Sequence, residues 1–190
     1  MTKTAFRISL LALIVALSAT CRFPQTPKPQ ASFPPPPRKG FVNDYSDILD
    51  KSATDQLGAT LVHLRETSKI EFAVLIVDSI GDHSLEDYSS AVFRSWHFDP
   101  ANDNDAKILL LIAAKDSQYR FNVTKALWQD LPDAKLNEAG SLMSESFAEE
   151  KYSEGLVKCV DAIIAALRER HRAELSMPRS ARSSLQTNGS

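Results

Sequence analysis

The chain has 190 residues, 43% of them apolar and 24% charged, with a formal charge of −2. That is enough apolar material for one hydrophobic core and too little chain for several domains of ordinary size. Residues 38–170 carry 15 Lys and Arg against 23 Asp and Glu, whereas residues 1–37 add +4 and residues 171–190 add +2, so the central segment is acidic and argues against nucleic-acid binding.

Residues 1–20 place Lys3 and Arg7 before an apolar run from Ile8 to Leu17 and then the small residues Ser18, Ala19 and Thr20. This is the order of a secretory signal, and the apolar run is too short to span a bilayer. The chain is therefore expected to be exported to a periplasm or cell envelope. Cys21 directly follows the small residues and resembles the lipidation cysteine of bacterial lipoproteins, although Ser18 and Thr20 depart from the preferred Leu and Gly or Ala. Lipidation at Cys21 and ordinary signal cleavage both stay open, and a lipid on Cys21 would be the chain's one attachment to the membrane. Residues 21–39 hold seven prolines between Phe23 and Lys39, a density that favours extended polyproline II and predicts a tether.

From Phe41 the chain takes on structure, with the domain expected over residues 40–170. Asp50 is a good N-cap for a helix to about Thr67, with the apolar stripe Ala53, Leu57, Leu61 and Leu64. Ile70–Val77 is a nearly all-apolar strand. Ser84 to Asp87 resembles a capping box and opens a helix to roughly Trp96. Ile108–Ile112 is a second apolar run without polar alternation, which requires cover on both faces, so this strand is expected at the centre of a sheet and parallel to the first. After Lys115-Asp116-Ser117 the chain alternates, with Tyr119, Phe121 and Val123 on one side and Arg120 and Asn122 on the other, as in an antiparallel edge strand. Pro132 marks the start of a further helix, to about Glu149, and Tyr152-Ser153 that of a last one, through Leu167 or a little beyond. Cys159 falls on the apolar face of that last helix and reads as a buried thiol. With only Cys21 besides, no disulfide framework is indicated. Residues 171–190 lack periodicity and are expected to be disordered. The predicted architecture is an α/β three-layer α/β/α sandwich with a small mixed sheet, a parallel βαβ unit plus an antiparallel edge strand.

Standard catalytic machinery is missing. The four histidines form no HExxH or close pair, there is no CxxC or G-x-S-x-G, and the six glycines are too scattered for a phosphate-binding loop. What remains is an acidic loop, Asp99 to Asp105. Clustered oxygen donors of this kind can hold Ca²⁺ or another divalent cation, but the spacing lacks the Gly and distal Glu of an EF-hand, and a solvated loop is the preferred reading.

The order of elements and several strings resemble the TPM domain family. Its opening V-x-D-x-a-g-x-L is matched by Val42 to Leu49, its D-N-G-v-L-L-L-v-A by Asp105 to Ala113, and its R-i-e-v-G-y-G-L-E-g-x-L-p-D-a by Arg120 to Ala134. The family helix before the central strand is similar to Ile80 through Trp96. Members occur in the thylakoid lumen, in bacterial envelopes and as an auxiliary subunit of a nematode receptor, so the resemblance implies protein contact with envelope or membrane proteins, in maintaining or assembling membrane complexes. Some members are described as binding divalent metal and as weak acid phosphatases. The resemblance thus implies metal candidates Asp44 and Asp105, with Asp103 beside them, and a low-activity metal-dependent phosphatase as the alternative function. Thr124 and Ala126 stand where the family motif has its glycines, Trp128 where it has Glu, and Ala106-Lys107 where it has Asn-Gly. A cofactor is accordingly not expected, no catalytic residue is assigned, and a non-enzymatic role is preferred.

Overall fold

A computed structural model describes residues 35–98 and 105–176. Cys21, Asp103 and most of the acidic loop lie outside these residues. In chain order the elements are β1 (Val42–Asp44), α1 (Lys51–Ser68), β2 (Glu71–Val77), α2 (Leu85–Ser95), β3 (Lys107–Ala113), β4 (Gln118–Val123), a single 3₁₀ turn (Lys125–Leu127), α3 (Asp133–Ala148) and α4 (Tyr152–Ser176). The strands form one sheet in the order β1-β2-β3-β4.

The register follows from the two apolar runs. β2 and β3 pair in parallel from Glu71 opposite Lys107 to Val77 opposite Ala113. Six consecutive residues of each strand are buried, as expected of parallel strands covered on both faces. Phe72, Val74, Ile76, Ile108, Leu110 and Ile112 point into a core shared with α1, α3 and α4. Ala73, Leu75, Leu109, Leu111 and Ala113 point the other way, onto Tyr88, Val92, Phe93 and Trp96 of α2 and its C-cap, and onto Phe98. The three layers are thus α1, α3 and α4, then the sheet, then α2. β4 returns antiparallel beside β3, with Ile108 opposite Val123 and Leu111 opposite Arg120.

Local signals in the sequence set the helix starts. The Asp50 side chain accepts from the Ala53 N–H at 2.7 Å, and Ser84 Oγ accepts from the Asp87 N–H at 3.1 Å. Each bond satisfies a donor that the first helical turn would leave open. Pro132 stands at the N-cap of α3, one residue before the helix proper. α3 and α4 come close where Gly155 faces Met143 O, with only 2.9 Å between that oxygen and the place of a Cβ.

Three features differ from the sequence reading. Val42–Asp44, read only as a lead-in to α1, is an edge strand parallel to β2, with Val42 opposite Val74 and Asp44 opposite Ile76. Three residues are too few for strand periodicity to register. α4 continues to Ser176, so residues 171–176 of the expected tail are helical. And the proline-rich segment is not free up to Lys39. The indole N–H of Trp96 donates to Pro36 O at 2.9 Å, the Tyr45 hydroxyl donates to Pro37 O, and Arg38 pairs with Glu71 at 2.7 Å. The Arg38 guanidinium lies 4.9 Å from the ring centre of Phe98 and 5.5 Å from that of Phe41, within cation–π range. Asn43, only 2% exposed, closes the arrangement. Its Oδ1 accepts from the N–H groups of Lys39 and Gly40 at 2.7 and 3.1 Å, and its Nδ2 donates to Gly40 O and Val74 O at 3.0 and 3.1 Å. Composition marks the prolines but not the polar groups that receive their carbonyls.

Candidate functional site

Three parallel strands give the sheet two unlike rims, one at their carboxyl ends and one at their amino ends. The antiparallel β4 brings its own carboxyl end to the amino rim. Each rim holds residues that the sequence singled out.

At the carboxyl rim Asp44 ends β1. Its Oδ1 accepts from the Ser46 N–H at 3.0 Å and its Oδ2 from the Leu49 N–H at 2.9 Å, so both oxygens shape the turn leading to α1. On the neighbouring loops, Asp116 accepts from Ser79 Oγ at 2.9 Å and from the Ile80 N–H at 2.8 Å. Lys115 pairs with Asp78 at 2.8 Å, and its hydrogen bond holds the Asp78 carboxyl below the usual carboxylate range. These carboxylates are occupied by backbone donors, a hydroxyl and an ammonium.

At the amino rim the loops similar to the family's two glycine motifs meet. Thr124, only 2% exposed, donates its hydroxyl to Asp105 O at 2.6 Å and accepts from the Lys107 N–H at 2.9 Å. Lys107 Nζ lies 3.1 Å from Asp105 Oδ2 and 3.1 Å from His97 O. Thr124 has φ −70° and ψ 155°, Trp128 has φ −59° and ψ −33°, and no residue of 124–129 has a positive φ. The loop therefore runs through ordinary backbone that needs no glycine, and the Thr124 hydroxyl stitches the two segments together.

Of the metal candidates, the two within the described residues, Asp44 and Asp105, lie on different rims. Asp44 lies opposite Ile76 and Lys107 opposite Glu71, which separates the two rims by five residues of β2, about 17 Å at 3.3 Å per residue. Asp105 stands beyond Lys107, farther still from Asp44. Among the described residues no group of three or more His, Cys, Asp or Glu side chains could hold a metal ion.

A different feature emerges on the outer side of β4, which among the described residues pairs with β3 alone. Trp128 is 61% exposed, yet its indole N–H is fixed to Val123 O at 3.2 Å. With Arg120, Asn122, Leu131 and Pro132 it lines a hollow of about 490 Å³ beside the open strand. Arg120 reaches across the sheet to within 3.8 Å of Glu86 on α2. The sequence comparison registers Trp128 only as a lost ligand. The available signal was a large aromatic residue in a turn, outside any apolar stripe.

Comparison with known proteins bears on this geometry. A family model described as the TPM domain matches residues 42–166. No curated protein matches. Among solved structures, the N-terminal domain of a protein from P. gingivalis is 28% identical, with 68% of this chain and 83% of that one covered and a TM-score of 0.62. The N-terminal domain of a protein from Corynebacterium glutamicum is 16% identical over 68% of this chain and 80% of that one, with a TM-score of 0.51. The BA42 protein of Bizionia argentinensis is 14% identical over 66% and 86%, with a TM-score of 0.56. The family match runs from β1 into α4, through the same strands and helices that build the two rims, and on that match this chain belongs to the TPM domain family.

Proposed function

We propose that this protein is exported, is held in the cell envelope through its N-terminus, and acts there by protein contact in maintaining or assembling membrane complexes, without catalysis of its own. The observation that carries this reading is Trp128, a rigidly held and largely exposed indole at the open side of an edge strand. Tryptophan is enriched among the residues that dominate protein interfaces, and an open edge offers a partner backbone donors and acceptors. The substituted family positions support the same reading, since Thr124 and Trp128 supply no acidic ligand.

A photoreactive residue in place of Asn122, used in whole envelopes, tests this. A discrete adduct that disappears in the Trp128→Ser background is the expected result, and an adduct pattern indifferent to Trp128 refutes it. The metal-dependent phosphatase alternative would need a shared cation, which the separation of Asp44 from Asp105 does not favour. Hydrolysis of an aryl phosphate that is stimulated by divalent cation and abolished by Asp44→Ala would restore it.

A further inference from the structure

The amino rim carries charge opposite to that of the domain as a whole. Two adjoining hollows of about 900 and 670 Å³ share Ser68, Lys69 and Ala106. Around them stand Arg65 and Lys69 at the end of α1, Lys107 on β3, and Arg168, Arg170 and Arg172 on α4. Four carboxylates share these walls against six Lys and Arg: Glu71, bound to Arg38 at 2.7 Å, Asp105, bound to Lys107 at 3.1 Å, Asp130, bound to Arg170 at 3.3 Å, and Glu66 on α1. Among the described residues Arg65, Lys69, Arg168 and Arg172 make no ion pair, and all four are exposed.

We propose that this rim is a docking surface for anionic lipid headgroups. Three observations favour a lipid surface over a small anion or an acidic protein. The cations are spread over three elements and two open hollows, which suits a plane of phosphates better than one bound ion. Residues 38–170 as a whole carry 15 cations against 23 anions, and the acidic part away from the rim is repelled by such a plane, so the domain orients with this rim inward. And the chain leaves the fold at the same rim, because Arg38 is paired with Glu71 at the start of β2. The segment 21–35 that precedes it spans roughly 40–45 Å if extended as polyproline II, at about 3.1 Å per residue, so an N-terminus held at a membrane leaves the rim within reach of it. This inference stands apart from partner contact through β4.

Vesicle co-sedimentation of the full exported chain carrying Cys21→Ser, which removes any acyl contribution, tests the proposal. Binding to phosphatidylglycerol-containing vesicles, absent on pure phosphatidylcholine and falling with added salt, is expected. Arg168→Glu with Arg172→Glu should weaken it by at least about tenfold, with an unchanged melting temperature. Lys51→Glu with Lys115→Glu, the same charge change at the carboxyl rim, should leave it intact. No preference for anionic vesicles, equal losses from the two pairs of substitutions, or displacement by inorganic phosphate at matched ionic strength would each overturn the proposal.

Discussion

Tyr119 of β4 lies across Gly140 of α3, its ring and hydroxyl filling the space that a β-carbon at position 140 would occupy. The sheet and α3 meet at this point with no room for a methyl group. Gly140→Ala is accordingly expected to destabilise the fold by about 1–3 kcal/mol, as overpacking does. In a Tyr119→Ala background the same change should become neutral or mildly stabilising, because Ala exceeds Gly in helix propensity by about 1 kcal/mol. A double-mutant cycle in denaturant checks this, and additive effects would show that the contact is not what demands glycine.

Leu110 is fully buried at the middle of β3, opposite Val74 on one side and Phe121 on the other. Leu110→Ala is expected to cost about 2–5 kcal/mol. A loss under about 1 kcal/mol in urea melts would contradict a site this tightly packed.

Asp44 accepts two backbone N–H groups, and charged acceptors of this kind contribute about 1.5–3 kcal/mol per bond. Asp44→Ala should therefore lower thermal stability measurably while leaving the response to Ca²⁺ unchanged. The deciding measurement is calorimetric titration of both forms with Ca²⁺. Saturable binding tighter than about 10 µM, in the range of Ca²⁺ sensor sites, that disappears with Asp44 would reverse this expectation.

Cys159 is buried among the residues of α4 that face the sheet, and burial pushes its thiol up to about 12. An unfolded cysteine titrates near 8.5, so the unfolded state loses its proton first as pH rises. The contribution of this thiol to stability is intact below about 8.5 and is lost progressively between there and about 12. Alkylation by iodoacetamide at neutral pH should be negligible in the native protein and rapid in denaturant. Rapid native labelling at position 159 would mean that α4 opens.

If Cys21 carries the lipid of the proposed envelope anchorage, replacing it with Ser should move the protein from the membrane fraction to one released by a salt wash, since loss of an acyl chain leaves only charge to hold it. Fractionation of envelopes with and without salt reads this directly, and identical distribution of the two forms would take the lipid out of the account.

The layers were legible in the sequence because Phe72–Val77 and Ile108–Ala113 are apolar at every position, and only a strand covered on both faces can be so. The edge character of β4 followed from alternation at Tyr119, Phe121 and Val123. β1 was missed because three residues carry no period, and its neighbour β2 gives it its partner. The site was harder to read. Asp44 and Asp105 match a family pattern, but their separation is set by strand register, which the string of residues does not reveal. Trp128 stood in the sequence only as a substituted family position: what fixes its exposed indole is the Val123 carbonyl, a contact five residues back across a turn.

The fastening of Lys39 and Gly40 by Asn43 has a mechanical consequence. β1 begins at the rim where the N-terminal segment enters and runs parallel to β2, so tension on that segment pulls along the strand and not across it. Trp96, Tyr45 and Glu71 grip Pro36, Pro37 and Arg38 ahead of the strand and take the load first, with Asn43 behind them. Beyond that point the ladder between β1 and β2, whose bonds are evenly spaced, is loaded in shear. Trp96 and Glu71 belong to other elements, so load taken there bypasses the smallest strand of the sheet, whereas load taken by Tyr45 and Asn43 passes into it.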